Sequence, residues 1–354
     1  MADELKQLRN RIDTLDQEIL KLVSERAAAA HAIGKLKGDG PVYRPEREAQ
    51  VLRQITRRNP GPLPDQAVTH LFSEIISACR ALEDALSVAC LGPKGTFSEE
   101  AVVKHFGSQT PATLCGSIDE VFRAVEAGSV GYGVVPVENS TEGAVGRTLD
   151  NLLSTPLRIC GEVVLPVHQN LLSRAATIAA VMRIYSHAQS LAQCSRWLNQ
   201  NCPRAELVPV GSNAEAARMA AEADTAAIAG RSAAELYGLP VLAANIEDEP
   251  NNTTRFAVIS RQEVPPSGND KTSLVMSIRN IPGAIHELLT PLARCGVSMT
   301  RLESRPSRTG LWEYVFFVDL EGHQTEDKVA RALDEMRGIA AFLKILGSYP
   351  VAAK

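Results

Sequence analysis

The sequence contains four polar stretches. Three lie between an apolar run and a predicted helix, and the fourth lies at the start of a predicted strand. The stretches are GPKGTFSE from Gly92, ENSTEG from Glu138, SHAQSLAQC from Ser186 and TTRF from Thr253. Free backbone N–H groups at a helix N-terminus bind anions, and the Ser, Thr, Asn and Gln side chains add further hydrogen-bonding groups. Together the stretches predict a polar site for a small anion, although each one alone would also serve as an ordinary cap or loop.

The N-terminal segment carries a second group of residues suited to anions. Arg26 and Lys37 are eleven residues apart, close to three helical turns, so they share a face and lie about 17 Å apart. Arg9 would lie about 25 Å from Arg26 along the same axis, and it can join the same small ligand only from a partner chain. Glu83 continues the apolar spacing of Ile76, and a protonated carboxyl there could donate a hydrogen bond. The alternatives are solvated surface cations and an exposed glutamate at a helix end.

Composition and charge exclude several classes of protein. The 354 residues carry a net charge of −4, which argues against a nucleic-acid binder. No apolar run reaches the length of a membrane span, and the charged N-terminus lacks the apolar core of a signal peptide. The seven scattered cysteines form no C-x-x-C pair and fit a reducing compartment. We therefore expect a cytoplasmic protein with no membrane or nucleic-acid partner, in which the sequons at Asn139, Asn251 and Asn252 stay unglycosylated.

Residues 1–87 are predicted to be helical throughout. The first helix has a heptad spacing of apolar residues, which invites a partner helix and predicts a homodimer or higher homo-oligomer. Pro45 and Pro64 are predicted to lie in the first turns of the second and third helices. The apolar face of the third helix is predicted to extend to Leu86.

The remainder of the chain changes pattern twice. Residues 88–264 alternate short apolar runs, such as YGVVPV, RIYS and RFAVIS, with helical stretches, which predicts an α/β fold of two lobes. A polar linker follows. Residues 270–350 then have the order β-α-β-β-α-β, which is ferredoxin-like and α+β. The chain is therefore predicted to be multidomain.

The N-terminal segment resembles the all-helical chorismate mutases. The resemblance rests on LRNRIDTLDQEILKLVSERAAAAHAIGKLKG, YRPEREAQVL and LFSEIISACRALE. It implies that the following residues bind chorismate: Arg9 from a partner chain, Arg26, Lys37, Arg47, Glu48, Cys79 and Glu83. Within this set it implies catalytic roles for Lys37 and Glu83, with Glu83 donating to the ether oxygen. Arg44 stands where some members have an acid and Cys79 where some have Ser, so the carboxylate pockets differ in detail.

The four polar stretches, in this order, resemble prephenate dehydratase. The resemblance implies two lobes like those of periplasmic binding proteins, with the active site in the cleft between them. It implies that Thr254 supplies the catalytic hydroxyl. It also implies contacts to substrate from Thr96, Asn139, Ser140, Thr141, Ser186 and Gln193. His187 is either a general acid or a structural histidine, and Ala188 stands where the family usually has Pro.

The C-terminal segment resembles the ACT domain of the same enzymes. Its IPGAIHELL and RLESRPS stretches correspond to the two effector motifs, which bind phenylalanine at a subunit interface. The implied effector residues are Gly283, Ala284, Ile285, His286, Glu303, Ser304 and Arg305. In that arrangement a helix N-terminus and Arg305 suit the carboxylate of phenylalanine, and Glu303 suits its ammonium group.

The resemblances cover essentially the whole chain. They imply a bifunctional enzyme that converts chorismate to prephenate and prephenate to phenylpyruvate, is inhibited by phenylalanine, and needs neither a metal nor a cofactor. Two alternatives remain open. One is a non-enzymatic amino-acid sensor, which would leave the cations of the first segment unexplained as a set. The other is an enzyme that acts on arogenate, the amino analogue of prephenate.

Overall fold

A computed structural model describes residues 1–37, 41–83, 86–222, 224–279, 281–306 and 314–352, with only the backbone of Lys37. The N-terminal helical segment holds α1 (Ala2–Lys37), α2 (Pro45–Arg58) and α3 (Asp65–Arg80). The seam predicted on α1 is largely uncovered in the single chain. Most of its early members are more than half exposed: Leu5, Leu8, Ile12, Ile19 and Leu22. The heptad spacing therefore leaves an apolar stripe uncovered on the single chain, and a partner helix against it stays a prediction.

The helix ends differ from the prediction at two points. Pro45 is the first residue of α2, as predicted. Pro64 instead precedes α3 as its N-cap, and α3 ends at Arg80 rather than near Leu86. The early end has a physical reason. Leu82 is 55% exposed, so a further turn would bury too little apolar surface to be stabilised by packing.

The first lobe is built on a mixed sheet. Its strands are β1 (Val88–Leu91), β2 (Ala112–Cys115), β3 (Tyr132–Asn139), β4 (Gly143–Ala144), β5 (Arg158–Pro166) and β11 (Thr253–Ser260), and its helices are α4 (Phe97–Phe106), α5 (Ile118–Ala127) and α6 (Gly146–Ser154). The strand order is β2-β1-β3-β11-β5, with β4 paired to β3. Val134 and Val135 on β3 are both fully buried. Burial on both faces of the sheet explains why YGVVPV is continuously apolar.

The second lobe is a separate sheet in the order β10-β6-β9-β7-β8. Its strands are β6 (Asn170–Ser173), β7 (Arg183–His187), β8 (Glu206–Val210), β9 (Thr225–Ala229) and β10 (Val241–Ala243), and its helices are α7 (Ala188–Gln193), α8 (Ser195–Asn201), α9 (Asn213–Met219) and α10 (Arg231–Tyr237). The chain returns to the first lobe at β11. Four strands, β2, β4, β6 and β8, were not predicted, because they are short and their residues show no clear period.

The C-terminal module has the predicted ferredoxin-like order. Its strands are β12 (Asp270–Ser277), β13 (Met299–Pro306), β14 (Tyr314–Glu321) and β15 (Phe342–Pro350), and its helices are α11 (Ala284–Cys295) and α12 (Asp327–Ile339). The sheet order is β13-β14-β12-β15. Leu274 and Phe316 pack under the two helices, whereas Val275 and Phe317 pack with Val137 of the first lobe. One face of this sheet therefore lies directly on the first lobe. Among the described helices of the whole chain, none is both long enough and apolar enough to span a bilayer.

Candidate active sites and effector site

A cavity of about 650 Å³ lies between α1, α2 and α3. Aliphatic side chains such as Ile33 and Ile76 form part of its wall. Five of the residues predicted to bind chorismate also line it: Arg26, Arg47, Glu48, Cys79 and Glu83. Nη1 of Arg26 lies 3.0 Å from the Cys79 sulfur. The fold thus brings cations and carboxyl groups from three helical regions to one site.

Of the two remaining residues of the predicted set, Arg9 lies away from the cavity and Lys37 is described only by its backbone. Arg9 is exposed on the N-terminal half of α1, about 25 Å along the axis from Arg26. The side chain of Lys37 lies outside the described residues. Within a single chain Arg9 therefore cannot reach the cavity, and only a partner chain could supply it.

A buried arginine that the sequence analysis did not single out holds Glu48. Arg80 is 5% exposed, and its Nη1 lies 2.6 Å from Oε1 of Glu48. Its Nη2 donates to the carbonyl of Phe106 at 2.5 Å, and its guanidinium lies over the Tyr43 ring. Burial raises the pKa of Glu48, and Arg80 offsets this only in part. The sequence signal was available, since Arg80 follows Ile76 by four positions on the apolar face of α3.

Glu83 reaches the cavity from a turn and not from the predicted helical face. It lies beyond the last residue of α3. Its side chain packs on Gly34 of α1, where an added Cβ would stand only 2.8 Å from Cγ of Glu83. The absence of a side chain at Gly34 therefore leaves room for the Glu83 carboxyl beside the cavity.

The polar stretches of the first lobe meet at one edge of its sheet. β1 and β3 are parallel, so their C-terminal ends lie at the same edge, and the antiparallel β11 begins there. Thr254 pairs in register with Asn139. Thr96 precedes α4 at the same end of β1, and its hydroxyl donates to the Leu91 carbonyl at 3.1 Å. Strand direction thus gathers three of the predicted site residues.

The buried amide of Asn139 holds the residues of this edge together by hydrogen bonds. Its Oδ1 accepts the backbone N–H groups of Thr141 and Glu142 at 3.0 and 3.1 Å. Its Nδ2 donates to Oδ1 of Asn252 at 2.8 Å and to Oγ1 of Thr254 at 2.9 Å. An amide has no further strong hydrogen-bonding position, and Asn139 is 8% exposed. In this structure the Asn139 side chain therefore holds Thr254 in place, and its contact to substrate stays a prediction.

The exposed part of the ENSTEG loop is fixed by its neighbours. The Ser140 hydroxyl accepts the Thr253 N–H at 2.9 Å. The Thr141 hydroxyl donates to Oδ1 of Asn252 at 3.2 Å. Both residues are exposed beside Thr254, so a ligand at this edge can reach them.

In the second lobe, the residues of the SHAQSLAQC stretch lie in different surroundings. Ser186 is fully buried, and its hydroxyl lies 3.0 Å from Oδ1 of Asn213 and 2.9 Å from the Ile228 carbonyl. The Ser186 hydroxyl is therefore enclosed in this structure, and its contact to substrate stays an untested prediction. The ring of His187 accepts the Gln189 N–H at 3.3 Å as the N-cap of α7, which favours the structural role for this histidine.

Gln193 lies at the boundary between the lobes. It lines a cavity of about 240 Å³ together with Thr141, Asn252 and Arg196 and with four acidic residues, Glu142, Glu247, Asp248 and Glu249. Its Oε1 accepts a hydrogen bond from Nδ2 of Asn252 at 3.1 Å. The TTRF side and the SHAQSLAQC side of the predicted cleft are therefore joined through Asn252, which the sequence analysis had considered only as part of a sequon.

The first effector stretch lies at the start of α11. Gly283 adopts a left-handed φ of 85°, which favours glycine. Ala284 is buried, whereas Ile285 and His286 are exposed on the first turn. On β13, Ser304 pairs with Phe316, which packs under the helices, so Ser304 belongs to the face that α11 covers.

Glu303 and Arg305 face the opposite side of the same sheet. Alternate residues of a strand point to opposite faces, and Glu303 pairs with Phe317, which packs on the first lobe. Nη2 of Arg305 lies 3.2 Å from Oδ1 of Asp150 on α6. A Cβ at Gly146 would lie 2.5 Å from Nη1 of Arg305. Within one chain the two charges therefore lie on the face of the sheet away from α11, and the predicted effector site between subunits stays a prediction.

Charged side chains, most of them largely buried, pair across the junction between the first lobe and the C-terminal module. Nη1 of Arg255, in the TTRF stretch, lies 2.5 Å from Oδ2 of Asp319 on β14. Nε of Arg301 on β13 lies 3.0 Å from Oε2 of Glu138, which begins the ENSTEG stretch. Burial acts to raise the pKa of Asp319, but Arg255 and the Ser273 hydroxyl outweigh it and hold the pKa below its ordinary value. An ion pair therefore connects β13, which carries the second effector stretch, to the polar edge of the first lobe.

Family models match three consecutive parts of the chain. They are chorismate mutase type II over residues 8–84, prephenate dehydratase over 88–264 and the ACT domain over 272–338. A protein of Neisseria gonorrhoeae named bifunctional chorismate mutase/prephenate dehydratase is 54% identical over 348 residues, which are 97% of this chain and 96% of that protein.

Two solved structures share the fold of the dehydratase and ACT parts. Prephenate dehydratase from Arthrobacter aurescens in complex with L-Phe is 35% identical, with a TM-score of 0.69, over 75% of this chain and 90% of that chain. GqqA, described as a novel type of quorum-quenching acylase, is 33% identical with a TM-score of 0.69, over 75% of this chain and 98% of that chain. The fold alone therefore does not select a reaction, whereas the full-length match includes the helical segment and its cavity. The chain belongs to the bifunctional chorismate mutase/prephenate dehydratase family and carries a C-terminal ACT domain.

Proposed function

We propose that this protein converts chorismate to prephenate in the cavity of the helical segment and prephenate to phenylpyruvate at the polar edge of the first lobe. The observation that carries the proposal is the convergence of Arg26, Arg47, Glu48, Cys79 and Glu83 on one cavity. Purified protein given chorismate, without an added cofactor, should release phenylpyruvate through transient prephenate. A non-enzymatic amino-acid sensor would yield neither product, and that result from folded protein would refute the proposal.

The first reaction requires the site to bind the substrate and to stabilise the charge that develops in the transition state. Chorismate rearranges in a single pericyclic step in which charge separates across a breaking C–O bond, so no nucleophile is needed. Arg26 and Arg47 suit the two carboxylates, because guanidinium groups hold carboxylates by paired hydrogen bonds. Glu48, fixed by Arg80, suits the substrate hydroxyl. A protonated Glu83 would donate to the ether oxygen as negative charge develops there.

Substitutions at Glu83 should show whether the reaction needs a hydrogen-bond donor or a negative charge at this position. Glu83→Gln keeps the shape and an N–H donor, so mutase kcat/KM should stay within severalfold of the wild type. Glu83→Ala removes the donor and should lower mutase kcat/KM about a hundredfold, as the loss of one such donor does in other sites. Glu74→Gln on α3 is the matched control, since Glu74 bonds Ser108 outside the cavity and should leave mutase kcat/KM unchanged. A fully active Glu83→Ala enzyme would remove Glu83 from the mechanism.

The second reaction converts prephenate to an aromatic product. The bond from the ring to the carboxylate breaks and releases CO2, its electron pair completes the aromatic ring, and the ring hydroxyl leaves with a proton as water. Asn139 donates to Oγ1 of Thr254, so the Thr254 proton is turned away from Asn139. Among the residues that the structure describes, Thr254 has no acceptor for that proton. The Thr254 hydroxyl is therefore set to donate to the leaving oxygen.

Arogenate remains the alternative substrate for this site. It carries an amino group where prephenate carries a keto group. The ratio of kcat/KM for the two compounds measures the preference directly. A larger value for arogenate would replace prephenate as the natural substrate in this proposal.

The proposal includes inhibition of the dehydratase by phenylalanine. It is supported by the ACT match, by the relative solved with L-Phe, and by the charge pairs between the module and the first lobe. An effector shifts an equilibrium only if it binds two states with different affinity. Contacts such as Arg305 with Asp150 can differ between such states, because they join the effector strand to α6, which follows the ENSTEG loop.

Arg305→Ala should weaken inhibition without lowering uninhibited dehydratase activity. The phenylalanine concentration for half inhibition should rise about tenfold, a typical coupling between two sites. The measurement is dehydratase rate against phenylalanine concentration. Arg294→Ala is the control, since Arg294 pairs with Glu335 on the outer helices of the same module and should leave inhibition unchanged. Normal inhibition of the Arg305→Ala enzyme would exclude Arg305 from the coupling.

The remaining parts of the proposal concern organisation. We assign residues 1–87 to the mutase domain, 88–264 to the dehydratase domain and 270–350 to the ACT domain. The uncovered seam of α1 supports a homodimer or larger homo-oligomer. The scattered free cysteines support a cytoplasmic location.

A further inference from the structure

Asn252 is a buried amide at the point where the chain returns from the second lobe to the first. It is 3% exposed. Its Oδ1 accepts from Nδ2 of Asn139 and from the Thr141 hydroxyl. Its Nδ2 donates to Oε1 of Gln193 on α7. One side chain therefore links three of the four polar stretches.

Backbone hydrogen bonds fix the orientation of the linked side-chain amides of Asn139, Asn252 and Gln193. Two backbone N–H groups bind Oδ1 of Asn139, so its NH₂ group must face Asn252 and Thr254. Asn252 must then turn its oxygen to Asn139 and its NH₂ group to Gln193. Gln193 in turn must use its oxygen for Asn252, which leaves its Nε2 hydrogens for the cleft.

We propose that Asn252 is a positioning residue for the dehydratase reaction, which orients Gln193 so that it presents a hydrogen-bond donor to the substrate. This inference rests on the proposed dehydratase function. Prephenate offers two carboxylates, a keto oxygen and a leaving hydroxyl, all of which accept hydrogen bonds. With Gln193 and Thr254 both turned to donate, these two side chains match acceptors of the substrate. A reversed Gln193 would set its oxygen against those acceptors.

Asn252→Asp tests this orientation of the linked amide groups. The new carboxylate still accepts from Asn139 and Thr141, so support for Thr254 is retained and kcat should stay within about threefold. It cannot donate to Gln193, which will turn its NH₂ group inward and its oxygen to the cleft. The KM for prephenate should rise about tenfold or more, the size expected for losing a hydrogen bond to a charged group. Asn251→Asp places the same charge on the exposed neighbouring side chain and should leave KM unchanged.

A double-mutant cycle separates positioning from added charge. Gln193→Met removes the amide. If Asn252 acts through Gln193, adding Asn252→Asp to Gln193→Met should raise KM by less than twofold. Mutase turnover in each variant shows that the protein is folded. A wild-type enzyme that makes no phenylpyruvate would overturn the proposed function and this inference with it. An active wild type with an unchanged KM in Asn252→Asp, or with fully additive effects in the cycle, would overturn the inference alone.

Discussion

Thr254→Val is expected to lower dehydratase kcat about a hundredfold or more, the range typical of losing a positioned proton donor. Mutase turnover should stay within about twofold. Valine keeps the branched shape that suits a strand, so β11 should keep its register beside β3 and β5. What is lost is the hydroxyl that Asn139 orients. The measurement is single-substrate kinetics on prephenate and on chorismate with the same preparation.

Thr253→Val is the matched control for this experiment. It makes the same chemical change one residue earlier, where the hydroxyl donates to the Asn251 carbonyl and points to the opposite face of the strand. Dehydratase kcat should remain within severalfold of the wild type. Near-normal dehydratase activity in Thr254→Val, or parallel loss of both activities in folded protein, would contradict the assignment of Thr254 to one reaction only.

Arg9→Ala and Arg26→Ala are each expected to lower mutase kcat/KM about a hundredfold or more, because a buried charge on the substrate loses its partner. A mixture of the two variants should recover activity. Arg26 lines the cavity of its own chain, whereas Arg9 lies about 25 Å away on α1. In a two-fold dimer, a heterodimer then contains one site with both arginines intact. Random exchange of equal amounts should restore about a quarter of wild-type activity, since half the dimers carry one good site of two.

Arg11→Ala controls for the position on the helix. Arg11 is two residues from Arg9 and lies on the other side of α1, so its loss should leave mutase turnover near normal. Subunit exchange must be verified by a mass or affinity tag. Confirmed heterodimers with no recovered activity would show that Arg9 does not act across the dimer.

The sequence by itself determined the order of the three segments, the helical or strand character of most elements, and the residue types of both active sites. These features depend on local periodicity and on capping, which are properties of neighbouring residues. Helical spacing selected Arg26 and Glu83, whereas the resemblance to chorismate mutases implied Arg47, Glu48 and Cys79. The structure places all five on one cavity.

The tertiary structure decided which way the key side chains face. Asn139 and Thr254 are 115 positions apart and meet only through strand register. Packing encloses the Ser186 hydroxyl, and strand alternation places Arg305 beside Asp150 on α6. Arg80 and Asn252 acquired their roles from partners in distant segments. The physical reason is common to all of them: a hydrogen bond depends on which groups lie across a packed interface, and long-range packing sets that.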